Sequence, residues 1–173
     1  MPLVLIRHTC VDVPAGVCYG QREVPLAASF DAEAAEVWSQ LPWPPDIVWT
    51  SPSERCRKLA ERLGGEVRVD DRLRELHFGE WEGRSWESFR GPESEAWALD
   101  PWGQRPPGGE SGEELWKRVG QVRAELEAAG SAGHVAVVTH AGVIRAWRAQ
   151  AEGRAWAELL AEPIGFGSVH LLG

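Results

Sequence analysis

Two short apolar runs constrain this chain more than anything else in it. Leu3-Val4-Leu5-Ile6 passes at once into Arg7, His8 and Thr9, and Val135-Ala136-Val137-Val138 passes into Thr139 and His140. Unbroken apolar runs of this length, rich in β-branched residues, read as strands buried on both faces, the condition of a parallel sheet covered by helices. In open α/β sheets, ligands collect at the carboxyl ends of the strands. Each run therefore delivers a histidine to the same kind of place, and Arg7 sets a cation beside the first.

The residues between the runs alternate in type. A helix is expected from Ser29 or Asp31 to about Leu41, closed by Pro42, Pro44 and Pro45. Residues 47–51 read as a second buried strand, after which Pro52 opens a helix to about Leu63. Residues 67–69 read as a short alternating strand, and residues 85–99 as one or two short helices broken near Gly91-Pro92. Ser111-x-x-Glu114 is a capping box for the longest helix, which runs to about Ala129. Helices follow from Gly142 to about Glu162 with a break near Gly153, and residues 167–172 read as a last strand at a sheet edge. This order predicts one α/β domain over residues 1–173, a three-layer α/β/α sandwich around a mostly parallel sheet.

Charge narrows the partners. The net charge of −8 argues against nucleic acid, since no excess of cations exists to neutralise a phosphate backbone. A small phosphorylated ligand needs only a local cluster, and 16 of the 18 basic residues are arginine, the better bidentate partner of phosphate. No apolar run approaches the roughly 20 residues that cross a bilayer, and the first run, cut off by Arg7, is too short for a signal peptide. Cys10, Cys18 and Cys56 are odd in number and lack Cys-x-x-Cys spacing. A soluble cytoplasmic protein with free thiols is expected, with a homodimer left open.

Histidine alone at a strand end is more often structural than catalytic. Two of them on equivalent strands, with Arg7 adjacent, shift the balance. A neutral imidazole attacks phosphorus when an acceptor holds its other ring nitrogen, and the charge it attacks must be neutralised. Arg55 lies in the first turn of the helix after residues 47–51, where the helix dipole also favours anions; a surface ion pair with Glu54 or Glu61 is the plain alternative. Glu75 is the candidate proton donor, beside His77 and Phe78, with Glu80 and Glu82 as competitors. Of the ten tryptophans, Trp38, Trp49 and Trp116 are expected in the core, whereas Trp81, Trp86 and Trp102 are expected to line a pocket on which a planar ring would stack.

Taken together these pieces resemble the histidine phosphatase superfamily, the phosphoglycerate mutase-like fold. The matching segments are Leu5-Ile6-Arg7-His8-Thr9, Tyr19-Gly20-x-x-x-x-Pro25-Leu26, Thr50-Ser51-Pro52-x-x-Arg55, Glu75-x-x-Phe78-Gly79-x-Trp81-Glu82-Gly83, Pro107-Gly108-Gly109-Glu110-Ser111 and Val138-Thr139-His140-Ala141-Gly142. The resemblance implies His8 as the nucleophile that becomes phosphorylated, Arg7, Arg55 and His140 as the phosphate pocket, and Glu75 as acid and then base. It implies substrate contacts from Thr9, Tyr19, Gly20, Gln21, Arg22, Glu82 and Ala141, and no metal or organic cofactor. Thr9, Arg22-Glu23 and Ser53 depart from the commonest residues of the family pattern, and Arg22 offers a second anion contact. Only 33 residues follow His140, which favours hydrolysis over the mutase reaction. The spacing Gly16-x-Cys18-Tyr19-Gly20 with Trp81-Glu82-Gly83-x-x-Trp86 looks like α-ribazole phosphatase of cobalamin assembly. Other readings are a broad-specificity or sugar-phosphate phosphatase, a phospho-ligand-binding regulatory module, and a metal hydrolase with His8 and His140 as ligands.

Overall fold

Side chains alternate along a strand, so a run that is apolar throughout needs a core on each side. Strands β1 (Leu3–Arg7) and β4 (Val135–Thr139) lie parallel and adjacent, with Leu5 opposite Val137 and Arg7 opposite Thr139. Leu3, Leu5, Val135 and Val137 face one core; Val4, Ile6, Ala136 and Val138 face the other. The computed structural model describes residues 2–130 and 133–172, leaving residues 1, 131, 132 and 173 of the expected span outside.

Helices α1 (Phe30–Gln40) and α2 (Glu54–Arg62) supply Ala34, Val37, Cys56 and Leu59 to the second core. Strand β2 (Ile47–Thr50) pairs parallel with β4 on one side and with β3 (Glu66–Val69) on the other. Helix α3 (Pro92–Leu99) follows in the long excursion after β3. Helices α4 (Gly112–Ala129) and α5 (Ala141–Glu152) cover the first core with Leu115, Val119, Ile144 and Trp147. The short α6 (Trp156–Leu160) leads to β5 (Val169–Leu172), antiparallel to β1. The strand order is β3-β2-β4-β1-β5, and the three-layer α/β/α arrangement is the expected phosphoglycerate mutase-like one.

Helix α4 starts as its sequence requires: the Ser111 hydroxyl accepts from the Glu114 N–H, and the Glu114 carboxylate accepts from the Ser111 N–H at 2.9 Å. Three local expectations are corrected. Trp38 is 46% exposed, because α1 turns Ala34 and Val37 inward and the neighbouring position points out. Strand β3 does not alternate; all four residues are exposed, since it is an edge strand. Pro52 stays outside α2, which begins at Glu54.

Candidate active site

The register of β1 against β4 brings the two histidines together. The His8 N–H donates to the Thr139 carbonyl at 3.1 Å, and the imidazole centroids lie 5.2 Å apart. Both side chains are buried. His8 Nδ1 lies 2.8 Å from the Thr9 carbonyl, which can only accept. Nδ1 therefore carries the proton, and the lone pair of the neutral ring is on Nε2. Burial, with the Arg55 and Arg7 charges adding, holds the His8 pKa down at about 3. His140 is also held well below its ordinary value, by burial first and then by His8 and Arg55. Arg55 Nη2 lies 3.4 Å from His140 Nδ1, and because arginine only donates, Nδ1 accepts and Nε2–H donates to Ser51 Oγ at 2.9 Å.

Two buried or half-buried guanidinium groups flank the histidines. Arg55 is fully buried and reaches the Gly20 carbonyl at 2.7 Å and the Arg22 carbonyl at 3.0 Å. Arg7 donates to the Ile164 carbonyl and stacks over Phe166, 3.9 Å from its ring centre. Among the described residues the Nε atoms of both arginines and the Thr9 hydroxyl are buried without a hydrogen-bond partner. Buried polar groups are normally satisfied, so this cluster of donors around His8 is suited to an anion. Tyr19 lies beside both cations, and burial holds its phenol above the ordinary value against their pull.

Glu75 belongs to the loop after β3. Its carboxylate accepts from the Leu76 N–H at 2.8 Å and from the Gly142 N–H at 3.2 Å, which sets it on the first turn of α5, two residues past His140. Arg118 holds this loop by donating to the carbonyls of Arg72, Arg74 and Glu75 while pairing with Glu110. The Pro107–Gly109 turn packs against Gly79 so closely that a Cβ there would lie 2.0 Å from the Pro107 carbonyl oxygen. Two of the motif segments thus serve to brace a third.

The remaining expected contacts divide. Thr9, Gly20 and Ala141 line the neighbourhood of the histidines. Gln21 and Glu82 bind each other instead: the Glu82 carboxylate accepts from the Gln21 N–H at 2.9 Å and the Phe78 N–H at 3.0 Å, and the Gln21 amide reaches the Glu75 carbonyl. The Arg22 side chain is exposed and turned toward Gly83; its carbonyl is the part that meets Arg55.

Beyond Glu75 opens a cavity of about 340 Å³, walled by Leu76, Phe78, Trp97, Leu115 and Trp156, with Glu75 and Arg145 as its charged side chains. This corrects the aromatic assignment. Trp81 is buried and stacks on Phe89 at 4.8 Å, as a prop behind the wall, and Trp86 packs on that cluster from outside. Trp102 lines a separate groove with Trp116 and Trp156.

Residues 3–173 match the family model described as histidine phosphatase superfamily, branch 1. The chain belongs to that family. The chain is 34% identical over 164 residues to the glucosyl-3-phosphoglycerate phosphatase of Mycobacterium tuberculosis, covering 83% of this chain and 72% of that one. It is 29% identical over 153 residues to the adenosylcobalamin/alpha-ribazole phosphatase of Salmonella typhimurium, covering 83% and 76%. It spans about half, 53%, of the length of a further relative from Hydrogenobacter thermophilus, 36% identical over 110 residues. Its fold is similar to the solved alpha-ribazole phosphatase of Shigella flexneri, with a TM-score of 0.90 over 99% of this chain and 89% of that one at 24% identity.

The sequence alone did not single out Ser51, which fixes the His140 ring, or Arg118, which holds the Glu75 loop. Ser51 stood inside a quoted motif, so its signal was present; Arg118 sits mid-helix with none. No helix among the described residues is long and apolar enough to cross a membrane.

The buried neutral histidines imply a pH-dependent fold. Below pH 6.5 the unfolded chain takes up a proton at His8 that the folded chain refuses until about pH 3. Stability therefore falls as pH drops through that window, and is fully present above it. From pH 7 to pH 5 the expected loss from His8 is about 2 kcal/mol, or roughly 4–8 °C in melting temperature. Thermal melts in phosphate-free buffer check this; equal melting temperatures at the two pH values contradict a buried neutral His8.

Proposed function

We propose that this protein hydrolyses small phosphomonoesters through a phosphohistidine on His8. The observation that carries this reading is the Thr9 carbonyl 2.8 Å from His8 Nδ1, which leaves Nε2 as a free nucleophile beside Arg7 and Arg55. Nε2 attacks phosphorus, the bond to the ester oxygen breaks, and Glu75 gives that oxygen its proton. Glu75 then takes a proton from water as the water attacks phospho-His8, releasing inorganic phosphate and restoring both groups. Arg7 and Arg55 hold the phosphoryl oxygens throughout, and His140 joins them by turning its Nε2–H from Ser51 to the phosphoryl group. Turnover without metal and a cytoplasmic location belong to the same proposal, the latter supported by three unpaired cysteines.

The test is a denaturing quench during turnover of an aryl phosphate with chelator present. An acid-labile, base-stable phosphoryl label is expected. Turnover without a label, or activity abolished by chelator and restored by a divalent ion, contradicts the reading; a regulatory module shows no turnover at all.

Two substrate readings stand. α-Ribazole 5'-phosphate, expected from the sequence, is supported by the Salmonella relative and by an apolar cavity suited to a planar ring. A phosphorylated sugar acid is supported by the mycobacterial relative and by the presence of Arg145 in that cavity. A panel of α-ribazole phosphate, glucosyl-3-phosphoglycerate and simple sugar phosphates separates them by kcat/KM.

Gly142→Ala tests the acid. A Cβ at Gly142 would lie 2.3 Å from the Glu75 Oε1, so the carboxylate must leave the helix end. A misplacement of this size costs about 100-fold in rate. The expected result is a fall in kcat with the fold intact by circular dichroism; unchanged kcat removes Glu75 from the reaction.

A further inference from the structure

Of the 16 arginines, most are exposed or paired. Among the described residues, three are withdrawn from solvent and have no carboxylate within ion-pair distance: Arg7, Arg55 and Arg145. The first two face His8. Arg145 lies on α5, half-buried, in the cavity that Glu75 also lines. A carboxylate stands close by and is spent elsewhere: Glu162 pairs with Arg148 at 3.0 Å and Arg154 at 2.8 Å, and offers Arg145 only its backbone carbonyl. The other acid, Glu75, is engaged by the N–H groups of Leu76 and Gly142. Two of the five guanidinium N–H groups go to the Glu162 carbonyl, leaving three free.

A half-buried cation with no carboxylate in ion-pair distance is costly, and Glu75 and Glu162 act on Arg145 only from farther off. Burial indeed works against the charge of Arg145, although guanidinium stays protonated. The cavity shares Glu75, the proposed proton donor, and Gly142 with the surroundings of His140, which makes it the place for the organic part of the ester in that reading. We infer that Arg145 is a specificity determinant that binds a carboxylate carried by the leaving group. A carboxylate suits the free edge of the guanidinium fork, and its single charge tolerates Glu75 nearby better than a second phosphate would. The aromatic walls hold the body of the same ligand. This assignment rests on the phosphohistidine reading of His8 and Glu75.

The experiment compares phenyl phosphate with 3- and 4-carboxyphenyl phosphate in wild type, Arg145→Gln and Arg145→Lys. Wild type over variant cancels the electronic effect of the carboxylate on the leaving group. For at least one carboxyphenyl ester, Arg145→Gln is expected to lower kcat/KM about tenfold or more, mainly through KM, with Arg145→Lys recovering part of the loss. Phenyl phosphate is the reference: any change it shows reports the loss of the Arg145 charge beside Glu75, and the loss for the carboxyphenyl ester is expected to exceed it about tenfold. Equal effects on all three esters overturn the role of Arg145 while leaving the phosphatase reading intact. No hydrolysis of phenyl phosphate by wild type overturns the phosphatase reading itself, and the inference with it.

Discussion

His8→Ala is expected to lower kcat by about 10⁴-fold or more, the scale of losing a covalent nucleophile. The side chain is buried beside His140, with its Nδ1 proton committed to the Thr9 carbonyl. No other described residue offers an uncharged nitrogen in the same position: His140 spends Nδ1 on Arg55 and Nε2 on Ser51. The quench label should vanish together with turnover. Because alanine leaves a hole against His140, the variant is compared with His8→Gln, and both are checked for native circular dichroism. Full activity in either folded variant ends the assignment of His8, and retention of label without His8 moves the nucleophile elsewhere.

Arg55→Ala is expected to lose about 10²–10³-fold in kcat, as when a preorganised donor is removed from a developing negative charge. A second effect arises from the loop. Arg55 ties down the carbonyls of Gly20 and Arg22, and Gly20 is buried, so truncation strands an acceptor at a cost of about 1–3 kcal/mol. Arg55→Lys separates the two effects. An ammonium keeps the charge but cannot reach both carbonyls and a phosphate with one planar fork. Lysine is therefore expected to recover part of the binding of inorganic phosphate, read by competitive inhibition, while kcat stays at least about tenfold down. Rates like wild type in Arg55→Ala would remove this guanidinium from the phosphate pocket.

Much of this architecture was legible because it is local. Unbroken apolar runs signal strands covered on both sides, and Leu3–Ile6 and Val135–Val138 proved to feed two cores by strict alternation. The Ser111-x-x-Glu114 box set the start of α4, since capping needs only residues three apart. Where the reading failed, exposure turned on neighbours distant in the chain. Trp38 and Val37 are adjacent and equally apolar in pattern, yet one is outside and the other inside. The Gln21 N–H donates to the Glu82 carboxylate across a sequence gap of 61 residues, a contact that no short segment announces.

By itself the sequence determined that two histidines would stand at the exits of buried parallel strands with arginines near them, because strand burial, helix capping and residue chemistry act within a few positions. Only the tertiary structure decided that the strands are neighbours, which nitrogen of His8 is free, and that Trp97, Arg145 and Trp156 wall a cavity next to Glu75. The physical reason is range. A propensity or a cap is a property of a short segment, whereas a pocket and an uncompensated charge depend on which segments the folded chain sets face to face.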